Sequence, residues 1–133
     1  MSLKESIASH IKDKFDIKGE RVFEKYPKIN VFRHKDNQKW FAIILSADAK
    51  SLDFSDEARQ KFKGEVELLN LKCDPSLAYL LHDQIRIIPA YHMSKKHWVS
   101  INLNSDISKE QVFDLIDESF TLSAKKSKRS EKR

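Results

Sequence analysis

Hydrophobic positions along this chain switch between two periods. Leu3, Ile7, Ile11 and Phe15 recur every four residues, with Ala8 beside them. That spacing predicts one apolar stripe on a helix of about four turns. Ser2-Leu-Lys-Glu5 stands before it as a capping box, and Gly19 closes the region. The period then falls to two. Ile29 to His34 is rich in β-formers, Lys35-Asp-Asn-Gln38 is a turn-like cluster, and Trp40 to Leu45 is strongly apolar. Together they predict a β-hairpin with a polar tip. Ser46 to Gly64 follows neither period cleanly, and holds either a helical turn around Ser55 to Phe62 or an irregular excursion.

Val66 to Lys72 reads as a further strand. Alternation puts Leu69, Leu71 and Cys73 on one face and Leu68, Asn70 and Lys72 on the other. Asp74-Pro75 starts a helix, because Asp accepts orphan backbone N–H groups and Pro suits the first helical position. Leu77, Leu80, Leu81 and Gln84 trace its face. Arg86 to Pro89 is a short strand. Trp98 to Leu103 alternates, with Val99, Ile101 and Leu103 opposite Trp98, Ser100 and Asn102. Ser108-Lys-Glu-Gln111 reads as a second capping box, before a helix that carries Val112, Leu115, Ile116 and Phe120 inward. The predicted order is α-β(3)-α-β(2)-α. Strands joined by hairpins imply a mainly antiparallel sheet. Helices packed on one face of it give a two-layer α+β sandwich.

Composition narrows the class. At 133 residues the chain is the size of one domain. Its longest unbroken apolar run, Trp40 to Leu45, is far short of the roughly 20 residues a membrane helix needs. The N-terminus lacks the basic-then-apolar pattern of a secretory signal. Cys73 is the one cysteine, so no intramolecular disulfide forms, and a reducing cytoplasm is the expected location. The net charge of +5 is unevenly placed. The tail from Lys125 to Arg133 has six basic residues and one acid, which leaves 19 of each sign before it. Residues 1–124 therefore form a neutral domain, and 125–133 form a basic tail expected to be disordered.

The stretch Tyr91-His-Met-Ser-Lys-Lys-His-Trp98 lies between two predicted strands. Lysines at such a tip can neutralise phosphates, and aromatic rings can stack on bases. The first hairpin tip is similar: Arg33, His34, Lys35 and Lys39 surround Asp36. Two basic hairpins on one sheet would straddle a nucleic-acid backbone. The plainer alternative makes Tyr91 and Trp98 half-buried sheet residues and the lysines ordinary solvated tips. Other chemistries are poorly served. His82, His92, His97 and Cys73 lack metal-ligand spacing, so no metal site is expected. Cys73 precedes a helix start, where a nucleophilic thiol could be activated with His82 or His92 as base. Its place beside Leu69 and Leu71 argues instead for a small buried residue. Asp53, Asp56 and Glu57 read as solvated surface. Gly19 and Gly64 stand alone, so no glycine-rich phosphate loop exists.

Asn70-Leu-Lys-Cys-Asp-Pro75, Pro89-Ala-Tyr-His-Met-Ser-Lys-Lys-His-Trp98 and Asp114-Leu-Ile-Asp-Glu-Ser-Phe120 resemble the signature of the MmcQ/YjbR family, most strongly over residues 66–122. The resemblance implies a CyaY-like fold, shared with frataxin and secretion chaperones, and DNA binding through a double wing of β-hairpins. Residues 46–65 are a longer connection than the family pattern. On these grounds the chain is expected to be a non-enzymatic, monomeric, double-stranded-DNA-binding module with no cofactor, no small-molecule substrate and no membrane role. The contacts would come from Arg33, Lys35, Lys39, Tyr91, His92, Lys95, Lys96, His97 and Trp98, with Lys125, Lys126, Lys128 and Arg129 in the tail. The competing expectation is a protein-interaction or chaperone-like domain. The neutral body favours it, since many DNA-binding domains are basic throughout.

Overall fold

The computed structural model describes residues 2–124. Both halves of the first capping box form: Ser2 Oγ accepts from Glu5 N at 3.1 Å, and Ser2 N donates to Glu5 Oε1 at 2.9 Å. They open α1 (Leu3–Phe15), which ends where Asp16 turns left-handed at φ 58°. Ile7 and Ile11 are fully buried, and Leu3 and Phe15 pack beside them. Ala8 faces solvent instead, and Ser6 takes the buried position next to Ile7.

Five strands follow: β1 (Asn30–Arg33), β2 (Trp40–Asp48), β3 (Glu65–Lys72), β4 (Ile87–Pro89) and β5 (Trp98–Asn102). They form one sheet in the order β1-β2-β3-β5-β4, with every neighbouring pair antiparallel. Three helices complete the chain: α2 (Asp56–Lys61), α3 (Pro75–Leu81) and α4 (Lys109–Ser123). The α+β class and the expected order are observed, with α2 added.

One sheet face carries Phe32, Ala42, Ile44, Leu69, Leu71, Val99 and Ile101, and α1, α3 and α4 pack on it. The opposite face carries Val31, Ile43, Leu45, Val66, Leu68 and Ile88. It is covered by the segment that follows neither period. That segment forms a 3₁₀ turn at Ala49–Ser51 and then α2, and buries Leu52, Phe54 and Ala58. Ser55 caps α2 by accepting Ala58 N at 3.2 Å. Gly64, at φ 70°, returns the chain to β3 in a conformation that costs glycine little. β2 is thus buried on both faces. This explains why it reads as an unbroken apolar run and not as an alternation.

Further sequence expectations fail locally in α3 and α4. Leu80 does not join the inward face: it is 76% exposed, and Ala78 takes the buried position between Leu77 and Leu81. Gln84 is not on the helix face, because α3 stops at Leu81 and Gln84 lies beyond it at φ 61°. There Asp83 Oδ1 gathers the N–H groups of Ile85, Arg86 and Ile87 at 2.7–3.0 Å, which makes a turn instead of another helical turn. Ser108 accepts from Gln111 N at 3.1 Å, but Gln111 does not return the bond, so only half of the second box forms.

The β1–β2 register shifts between Phe32 and Arg33, so Arg33 pairs with Trp40. A bulge of this kind re-aims side chains. Phe41 turns to the helical face, 6.0 Å from the Phe15 ring and 5.1 Å from that of Phe120. Trp40 joins the other face. Opposite Phe41, a helix hydroxyl replaces the ladder bond: Ser119 Oγ donates to Phe41 O at 2.5 Å and accepts from Lys72 N at 2.8 Å.

Candidate nucleic-acid interface

Register decides where the two hairpin tips lie. Arg33 pairs with Trp40, Ala42 with Leu71, Lys72 with Trp98, and Val99 with Pro89. The turn at 34–39 and the turn at 90–97 therefore leave from one end of the sheet. The two hairpins are three strand steps apart, roughly 14 Å at the usual strand spacing. Between them on the face away from α1 and α4, Lys72 sits beside half-buried Trp98.

The first tip is largely neutralised. Arg33 makes a two-pronged contact with Glu20, its Nε and Nη2 each 2.8 Å from a carboxylate oxygen. Lys35 donates to Asp16 at 2.9 Å. Hydrogen bonds from Lys12 and Lys35 hold the Asp16 carboxyl down at about 2. Asp36 is not the hub of this tip; it accepts its neighbour's amide, Asn37 N, at 2.7 Å. His34 is 4% exposed and is a core residue, not a tip residue. Its Nε2 is 3.0 Å from Ser123 Oγ, and its ring packs on Phe120 at 4.2 Å. Burial pushes its pKa down, so it is held neutral. Lys39 is exposed and has no ion pair among the described residues.

The second tip contains no acid between Ala90 and His97. Lys95 Nζ donates to Ala90 O at 2.6 Å, a contact that leaves its charge uncompensated. Lys96 and His97 are exposed, and Lys96 has no ion pair among the described residues. His92 is exposed at φ 61°, with its ring 4.0 Å from that of Tyr91. Tyr91 and Trp98 are half-buried against the second core. The base of this hairpin is fixed by a closed polar triangle. Ser100 Oγ donates to Asn70 Oδ1 at 2.5 Å, Asn70 Nδ2 donates to Tyr91 O at 3.0 Å, and Tyr91 N donates to Ser100 Oγ at 2.9 Å. Asn70 and Ser100 are buried, so each bond forms where water cannot replace it.

The sequence from residue 17 to residue 122 matches the YjbR family, and that span contains both tips. The chain belongs to this family. It is 34% identical to the uncharacterised protein YyaQ of Bacillus subtilis over 122 residues, which is 92% of this chain and 98% of that one. A 59-residue stretch is 46% identical to the uncharacterised protein YbdF of Escherichia coli O157:H7, over 43% of this chain and 48% of that one. A crystal structure of a Pseudomonas syringae protein superposes with a TM-score of 0.81 at 31% identity, over 91% of this chain and 98% of the other. A Deinococcus radiodurans protein shares the fold at 24% identity and a TM-score of 0.68, over 99% of this chain and 87% of that one.

Within the YjbR frame, α4 ends against the first tip: Asn37 Nδ2 donates to Ser123 O at 3.0 Å. The tail candidates Lys125, Lys126, Lys128 and Arg129 lie outside the described residues, but the chain departs for them from Ala124, beside that tip. Cys73 is 3% exposed, and burial, with Asp74 and Glu118 nearby, pushes its thiol up; this is the reverse of nucleophile activation. Among the described residues no three His, Cys, Asp or Glu side chains gather as metal ligands. His92 and His97 stay on the second tip. His82 lies just beyond α3, with burial lowering its pKa.

The sequence reading did not give Asn70, Ser100 or Ser119 any role. Ser119 falls in the apolar phase of its helix and Asn70 sits inside an apolar strand, which was the available signal; Ser100 lies in the polar phase of β5 and offered none. Glu20 and Asp16, the partners that quiet the first tip, carried no such signal, because the fold brings them in from outside the hairpin.

Proposed function

We propose that this YjbR-family protein is a non-enzymatic DNA-binding module that holds double-stranded DNA, with little sequence preference, at the end of the sheet bearing both hairpin tips. The observation that carries this reading is the shared register. Two hairpins leave one end roughly 14 Å apart, and Lys39, Lys95 and Lys96 there are uncompensated by any carboxylate among the described residues. That spacing is close to the roughly 12 Å width of the major groove. The second tip is the principal contact, and Arg33 and Lys35 play a lesser part. Exposed ion pairs are worth only about 0–1 kcal/mol, so Lys35 can exchange Asp16 for a phosphate. The two-pronged Arg33–Glu20 pair exchanges less readily.

Contacts of this kind release counterions, so log affinity falls linearly with log salt. Three tip cations give a slope of about −2.7, and the six basic tail residues steepen it toward about −8. Fluorescence anisotropy with a labelled duplex, using the full chain and a chain ending at Ala124, measures both slopes. A salt-independent signal, or none at low salt, would remove the proposal.

One observation favours a protein-interaction role instead. Tyr79 and Leu80, adjacent on α3, are 82% and 76% exposed. Replacing both with Ser leaves duplex affinity unchanged if the tips are the working surface.

A further inference from the structure

Beside the second tip, the covering segment and the hairpin share an open depression of about 340 Å³, lined by Lys50, Asp53, Arg59, Tyr91 and Lys95 among others. We propose that this depression binds a phosphoryl group. The inference does not depend on DNA binding.

Three cations reach the depression from three separate parts of the chain: the 3₁₀ turn, α2 and the second tip. Asp53 is the one acid in the lining, so these side chains sum to a positive field. Gathering like charges raises their mutual repulsion, and a bound anion relieves it. The way they are held also differs from other cations in the molecule. Arg33 and Arg86 are engaged by carboxylates, Glu20 for the first, Asp83 and Asp106 for the second. Arg59 donates Nη2 to the carbonyl of Leu52 at 3.0 Å, which orients the guanidinium without neutralising it. Lys95 is oriented likewise by Ala90 O. A guanidinium fixed through one N–H keeps the others for a second acceptor, and its planar fork matches phosphate oxygens. Lysines on other sides of the depression would serve as point charges toward the remaining oxygens. The segment between β2 and β3 thus brings charge to the second tip as well as covering the sheet.

A phosphoryl group can come from a nucleic-acid backbone or from a free phosphorylated compound, and an NMR titration of the ¹⁵N-labelled full chain separates them. Pyrophosphate, added at constant ionic strength against sodium chloride, is expected to shift the amides of Lys50, Arg59 and Lys95 saturably. Lys50→Ala and Arg59→Ala each weaken this about tenfold, as loss of a charge-assisted hydrogen bond predicts, and Arg59→Lys recovers part of it. Lys50 is exposed and bonds through its backbone alone, so that variant tests the site even if Arg59→Ala loosens the loop. Equal shifts with chloride alone, or unchanged affinity in both alanine variants, overturn the proposal. Duplex DNA that displaces pyrophosphate assigns the site to the backbone. Duplex that shifts Lys39 and Lys96 while pyrophosphate stays bound assigns it to a free phosphorylated compound. Saturation by pyrophosphate with no response to duplex upholds this site and removes the DNA reading.

Discussion

The two hairpins are built for the same end of one sheet, yet they are secured by opposite means. The first is tied by charge and by helices: Glu20 holds Arg33, Asp16 holds Lys35, and α4 reaches in through Ser119 and Ser123. The second is tied by neutral groups: Asn70, Ser100 and backbone carbonyls fix its shape and leave its lysines charged. A basic sequence at a hairpin tip is therefore a poor guide to available charge. What matters is whether the fold delivers a carboxylate to that tip.

The largest effect expected from breaking this contrast is at the base of the second hairpin. Asn70→Ala strips partners from Ser100 and from Tyr91 O inside the core, so stability should fall by about 3 kcal/mol in urea unfolding. Ser119→Ala at the first hairpin leaves Phe41 O and Lys72 N without their bridge, for a loss of about 1–3 kcal/mol. Duplex affinity should persist in that variant at temperatures where it stays folded. Next comes charge itself. Lys95→Ala with Lys96→Ala should weaken duplex binding about tenfold, and Arg33→Ala with Lys35→Ala only about twofold. Equal losses from the two pairs would erase the distinction drawn between the hairpins. Asp16→Asn with Glu20→Gln sharpens it from the other side: freeing Arg33 and Lys35 should raise affinity about threefold.

Acidity is the mildest lever. Burial holds His34 and His82 below the ordinary histidine value of 6.5. On acidification the unfolded chain takes up these protons first, so stability falls as pH drops below about 6.5 and is complete above it. Asp16 keeps its charge until about 2, so it does not contribute over that range. Thermal melts between pH 7 and 5 should show the decline, and His34→Gln should flatten it.

Most of the fold was legible. The four-residue stripe of α1, the Asp74-Pro75 start of α3 and the alternation of β5 each appear where period and capping chemistry place them. Residues 46–64 were legible only in part: the helical turn offered around Ser55 to Phe62 is α2, but the burial of this segment depends on a sheet face that local sequence does not reveal. The site was half legible. Tyr91 to Trp98 identifies a charged hairpin from its own residues. The pairing of Arg33 with Glu20 is a long-range fact that follows from the Glu20–Val31 bridge, which lays the chain before β1 along the edge of the sheet. His34 was misplaced because the bulge beside it depends on a one-residue offset against β2, and the groups that bury it, Phe120 and Ser123, arrive from α4.

A sheet of this kind is not flat. Adjacent strands rotate by about 20–25°, so across three steps the long axes of the two hairpins diverge by roughly 60–75°. A straight rod can run along one of them but must cross the other obliquely. Whatever spans both tips must therefore be curved, or must offer acceptors that wind around its own axis.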